Sequence, residues 1–145
     1  MGEIIKLIRV LYPKEYPSNY IYTYPTLNDE LHSLLGSSGY EEKFEKKYRN
    51  ALQFLENLKT RCVAQSKLFE KLSYGDGFYS MKLHGEKNIR ILFDFQRLTD
   101  AGKDIVILYY CFEEKKSKQY KNEVEQAKPR RNECLKGVIS CKAQS

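Results

Sequence analysis

Lys82, His84, Lys87 and Arg90 fall within one short stretch, FYSMKLHGEKNIRILFDF, residues 78–95, and their types suit work on a phosphate. Two runs of alternating apolar residues flank a turn at GEKN, so a hairpin brings these side chains near one another. Arg90 is the natural stabiliser of extra negative charge, because a guanidinium presents paired donors to a phosphate and stays protonated. Lys82 and His84 leave the first strand on the same side, and the returning strand sets Arg90 across from them. Further on, EEKKSKQY supplies Lys115, Lys116, Lys118 and Tyr120. If the strands are neighbours, the two sets converge on one pocket.

Such a pocket suits cleavage of RNA by its own 2′-hydroxyl, which needs a base, cations for the phosphorane and an acid for the 5′-oxygen. Lys82 can act as the base only where surrounding cations favour its neutral amine. His84, as an imidazole, is the easier acid or base by residue type. Tyr120 can stack on a base or donate a proton. The competing reading is a solvated lysine-rich hairpin, since strand edges often carry Lys to discourage pairing with other chains.

The elements that would hold these residues can be read in outline. EIIKLIRVLY fits strand and helix periods equally well, and YIYTY between Pro17 and Pro25 reads as a short strand, Tyr20 to Tyr24, at a sheet edge. TLNDELHSLLG predicts a helix of about two turns, capped by Thr26 or Asn28 and stopped by Gly36. A longer helix follows, opened by a Ser38/Glu41 capping box. Tyr40, Phe44, Tyr48, Ala51, Leu55 and Leu58 line one face, a stripe that reads as core rather than as a base-stacking platform. SKLFEKL continues the helical theme. FYSMKLH, IRILFDF and DIVILYYCF then predict an antiparallel meander, with Ile89, Ile91, Phe93 and Phe95 on one face of the middle strand. Arg90, Leu92 and Asp94 take the other face, which puts the Arg90 charge at the edge of a partly apolar surface. A last helix carries Tyr120, Val124 and Ala127 at helical spacing, with Ser117 as its cap and Pro129 ending or kinking it.

Composition narrows the function classes. The 145 residues carry a formal net charge of +6, with 41% hydrophobic and 30% charged residues, which is a globular balance that favours a polyanionic partner. The opening segment is too short and too often interrupted by Lys and Arg for a signal or membrane-spanning helix, so a cytoplasmic protein is expected. Cys62, Cys111, Cys134 and Cys141 lack metal-site spacing and read as reduced thiols. No phosphate-binding glycine loop, zinc-protease motif or esterase elbow is present. No cofactor and no metal is called for.

The ordered set GFYSMKL, NIRILFDF and IVILYYCFEEKKSKQYKNEVEQAK resembles the RelE/ParE superfamily of bacterial toxins, and within it the HigB-type branch. The similarity runs over about residues 72 to 135. It implies a single α+β domain over 1–145, with N-terminal helices packed on a twisted antiparallel sheet of three to five strands and a C-terminal helix. Residues 1–19 would be an extension and 136–145 a tail. It also implies a type II toxin that cuts mRNA in the ribosomal A site, silenced by a cognate antitoxin of helix-turn-helix type. Carried over by position, Arg90, Lys82, Lys115, Lys116 and Tyr120 match the family's site positions, which makes Arg90, Lys82, Lys116 and Tyr120 the expected catalytic residues and Lys115 an RNA contact; Lys118, His84 and Lys87 are further RNA contacts expected from the basic cluster itself, and His84 has no clear family counterpart. Glu113 and Glu114 depart from the family pattern by setting negative charge beside the basic pair. Two other functions stay open: a non-catalytic, ParE-like inhibitor of DNA gyrase, and a basic module that binds RNA or protein.

Overall fold

The β-branched and aromatic runs pair edge to edge, as strands with two usable faces do. The computed structural model describes residues 7–36, 39–73, 76–98, 102–116 and 119–144, with backbone alone at 98 and 136–144. Five strands, β1 (Ile21–Thr23), β2 (Phe69–Lys71), β3 (Tyr79–Leu83), β4 (Ile89–Leu98) and β5 (Lys103–Glu113), form one sheet in the order β1-β5-β4-β3-β2. The expected meander is β3-β4-β5, extended by antiparallel β2. The sheet is nevertheless mixed. β1 pairs with β5 in parallel, because helices and three strands intervene between the two and no hairpin joins them.

SKLFEKL departs from expectation more sharply. Leu68, Phe69 and Leu72 have helical spacing, yet the helix α3 (Cys62–Gln65) ends at extended Ser66 and the chain becomes β2. Phe69 enters the core edge-on to Phe93 at 6.0 Å, so pairing with β3 overrides local periodicity.

α1 (Leu27–Leu35) begins after Thr26, whose hydroxyl donates to Glu30 instead of capping the backbone, and stops at Gly36. α2 (Glu41–Leu58) buries Phe44, Tyr48, Ala51, Leu52 and Leu55, so its aromatic stripe is core. Ser38 of the expected capping box lies outside the described residues. These helices pack on the sheet face of Ile89, Ile91 and Phe93. α4 (Gln119–Gln144) covers the opposite face through Tyr120, Val124 and Ala127, against Leu92, Ile107 and Tyr109. The architecture is α+β, with N-terminal helices on one face and the C-terminal helix on the other. Residues 7–20 join the first core through Val10, Tyr12 and Tyr16, and the Leu11 N–H donates to Asn28 Oδ1 at 3.1 Å.

Pro129 does not end α4, and the segment expected as a tail continues the helix to Gln144. A proline inside a helix removes one hydrogen bond and crowds the preceding turn. Anchors on both sides hold the helix in place regardless. Lys128 pairs with Asp76 at 2.9 Å, and the Arg131 guanidinium donates to the Asp76 carbonyl at 2.8 Å. Arg130 grips Glu30 of α1 with two bonds of 2.5 and 2.6 Å, between the rings of Tyr24 and Tyr110.

Under α4 lies a buried carboxylate. Asp94 accepts from Tyr109 Oη at 2.7 Å and from Gln96 Nε2 at 2.8 Å, with Arg131 3.7 Å away. Burial pushes its carboxyl up to about 6, against the opposing pull of those hydrogen bonds and of Arg131. The folded state therefore takes up a proton that the unfolded chain does not between about pH 4 and 6, so stability falls as pH rises through that window. Thermal melts of wild type and Asp94→Asn at several pH values isolate this term. Between pH 7 and 4 the wild type is expected to gain at most about 3 kcal/mol relative to the variant. A difference that does not change with pH would contradict it.

Cys62, Cys111 and Cys134 are free and buried. Among the described residues, no helix is long and apolar enough to cross a membrane.

Candidate active site

Strand register decides which of the sequence candidates meet. Lys82 of β3 lies opposite Arg90 of β4, and Ser80 lies opposite Leu92, so Ser80, Lys82 and Arg90 share the face that α4 covers. The first turn of α4 brings in Tyr120, whose hydroxyl lies 3.0 Å from Ser80 Oγ. Its ring meets Phe112 edge-on at 5.4 Å, and Phe112 is the β5 neighbour of Arg90. Arg90, Lys82 and Tyr120 are therefore brought to one face of the sheet.

The same geometry corrects the reading of Arg90. Its side chain is 7% exposed rather than open at a surface edge, and Nε donates to Glu114 Oε2 at 2.6 Å. The β5–α4 connection delivers that carboxylate. Gln119 folds back over the same connection, accepting from the Lys115 and Lys116 N–H groups and donating to the Glu113 carbonyl. Lys115 and Lys116 are exposed just beyond Glu114, and Lys118 lies outside the described residues.

Lys87 does not belong to the cluster. Its ammonium donates to the Leu34 carbonyl at 2.7 Å, completing the C-terminal end of α1 on the other side of the sheet. His84 is exposed where β3 ends, and its carbonyl accepts from Tyr40 Oη at 3.3 Å. Two participants were missed in the sequence. Ser80 stands two residues before Lys82, and strand alternation alone could have placed it. Glu70, 4.0 Å from Lys82, was hidden because its segment read as helix.

No protein-family model, curated protein or solved structure matches the chain. The chemistry rests on these side chains themselves.

Burial pushes the Tyr120 hydroxyl up to about 12, against the pull of the Ser80 hydrogen bond and of Arg90. At neutral pH it is an O–H donor, which suits an acid and excludes a base. Lys82 also lines an open groove with residues of α3 and β2 along the β2 edge of the sheet, while Ser80, Arg90 and Tyr120 are buried. Two cations and a protonated phenol can bind a phosphate and deliver a proton to it. Among the described residues, no three His, Cys, Asp or Glu side chains gather as metal ligands.

Proposed function

We propose that this chain is a ribosome-dependent endoribonuclease, the toxin of a type II toxin-antitoxin pair. What supports the reading above all is the convergence of Lys82, Arg90 and Tyr120 on one face of the β3–β4 hairpin. In this scheme the ribosome holds the mRNA in line for reaction, and the protein supplies charge and proton transfer. Lys82, drawn away from Glu70 by the incoming RNA and acting as its neutral amine, takes the proton of the 2′-hydroxyl, whose oxygen bonds to the adjacent phosphorus. Arg90 neutralises the phosphorane, and Tyr120 protonates the departing 5′-oxygen. The products are a 2′,3′-cyclic phosphate and a 5′-hydroxyl end. A helix-turn-helix antitoxin is the expected partner, and the cytoplasm the expected compartment. An mRNA with a 2′-deoxy nucleotide at the cut position tests the chemistry: it should resist cleavage there while the all-ribose message is cut.

Glu114 has a defined place in this scheme, because its carboxylate occupies Arg90 where a phosphate would bind. Glu114→Gln is expected to lower KM for ribosome-bound mRNA several-fold, with a loss of stability of about 1 kcal/mol from the weakened bond. Steady-state cleavage kinetics decide it; an unchanged or higher KM would show that Glu114 positions Arg90 instead of competing for it.

The near-complete burial of Arg90 in an ion pair favours a second reading, a basic binding module without catalysis. That reading predicts intact mRNA in every cleavage assay.

A further inference from the structure

Positive charge gathers in two stretches of the chain, residues 46–71 and residues 115–142. Residues 46–71 carry seven Lys or Arg against two carboxylates, Glu56 and Glu70, a net +5. Both carboxylates are engaged, Glu56 accepting from Ser18 Oγ at 2.5 Å and Glu70 facing Lys82.

Within this stretch α2 presents an outward face of particular make-up. Opposite its buried side, Lys46, Asn50, Gln53 and Asn57 stand in one row at spacings of four, three and four, with Lys47 and Phe54 beside them. All six are exposed. The row extends over about 16 Å, at about 1.5 Å per residue. No carboxylate interrupts the helix between Glu45 and Glu56. Neighbouring cations are spoken for, since Lys14 holds Glu45, Lys43 reaches Glu86 and Arg49 lies over Tyr16. Among the described residues, Lys46 and Lys47 have no such acidic partner. Phe54, 40% exposed, is one of three large apolar side chains left in solvent among the described residues.

We infer that this face of α2 is a docking surface for the backbone of folded RNA, on the opposite side of the sheet from Arg90 and Tyr120. Lysine ammonium groups neutralise phosphates as point charges, side-chain amides can donate to phosphate oxygens and pair with ribose 2′-hydroxyls, and an exposed aromatic ring offers a base a surface to stack on. An acidic protein would use the two lysines alone, whereas RNA also uses the row of amides and the exposed ring. The choice of RNA over DNA rests on the ribonuclease reading; the charge argument does not.

The test uses the full chain and a fluorescently labelled RNA hairpin, with anisotropy titrations across a salt series. The Lys46→Gln/Lys47→Gln double variant keeps the helix propensity and changes only exposed positions. It is expected to bind about tenfold more weakly, with the slope of log K against log salt reduced by about 1.5, the share of two phosphate contacts. A charge-matched control away from α2, Arg97→Gln/Lys121→Gln, should stay within about twofold of wild type. Equal losses in the two double variants, or no loss in the α2 variant, would overturn the inference. So would polyglutamate displacing the protein from RNA at lower concentration than unlabelled hairpin does, since that marks an acidic protein as the partner. Failure of the ribonuclease reading looks different: the protein leaves mRNA uncut yet still loses hairpin affinity in the α2 variant.

Discussion

Arg90→Ala is expected to lower ribosome-dependent mRNA cleavage by at least about 100-fold, the cost usual for removing one preorganised charge stabiliser from a reacting centre. Arg90→Lys should rescue little, because an ammonium cannot reproduce the two parallel donors of a guanidinium. The fold should survive. Glu114, the partner left behind, is about a fifth exposed and can turn to water, so the stability loss is expected at about 1 to 2 kcal/mol rather than the cost of a stranded buried charge. Single-turnover cleavage with a thermal melt on the same samples separates the two effects. Wild-type cleavage by Arg90→Ala would remove this residue from the mechanism.

The second large effect is structural and lies in the turn that aligns the site. Gly85 stands between β3 and β4, and a Cβ there would lie 1.5 Å from Tyr40 Oη and 2.4 Å from Cζ. Tyr40 cannot step aside cheaply: it is 1% exposed, and its ring packs against Phe44 at 6.3 Å. Gly85→Ala is therefore expected to cost about 2 to 3 kcal/mol by overpacking, and to disturb the Lys82–Arg90 register along with it. Chemical denaturation measures the first effect and cleavage the second. Removing the obstructing ring gives an internal check. In a double-mutant cycle, Tyr40→Ala with Gly85→Ala should cost clearly less than the sum of the single changes. Strict additivity would mean that the contact is not what makes position 85 intolerant.

Much of the fold is legible in the sequence because local pattern and tertiary role agree there. The strict alternation of Ile89, Ile91 and Phe93 places β4 with one face toward α2, and Tyr120, Val124 and Ala127 mark the buried side of α4. Where the reading failed, a distant contact had overridden the local signal. SKLFEKL has helix spacing but is captured by the edge of β3, and Pro129 reads as a stop but is bridged by Lys128, Arg130 and Arg131, whose partners lie far away in the chain. The site divides in the same way. Lys82, Arg90 and Tyr120 follow from strand period and element order. The capture of Arg90 by Glu114 does not, because it depends on how the β5–α4 connection turns, and in the sequence the acidic pair reads only as negative charge beside Lys115 and Lys116. Lys87 was misplaced for a related reason: proximity in a hairpin says nothing about a carbonyl at the end of α1 that the side chain can reach.

Ribosome-dependent cleavage is measured by adding the purified protein to a reconstituted translation reaction and mapping mRNA 5′ ends by primer extension, beside a matched sample of the same message without ribosomes. A ribosome-dependent endoribonuclease should leave cuts within codons that appear only when ribosomes are present. Intact mRNA in both samples, from protein shown to be folded, would contradict it and turn attention to gyrase inhibition and to binding without cleavage.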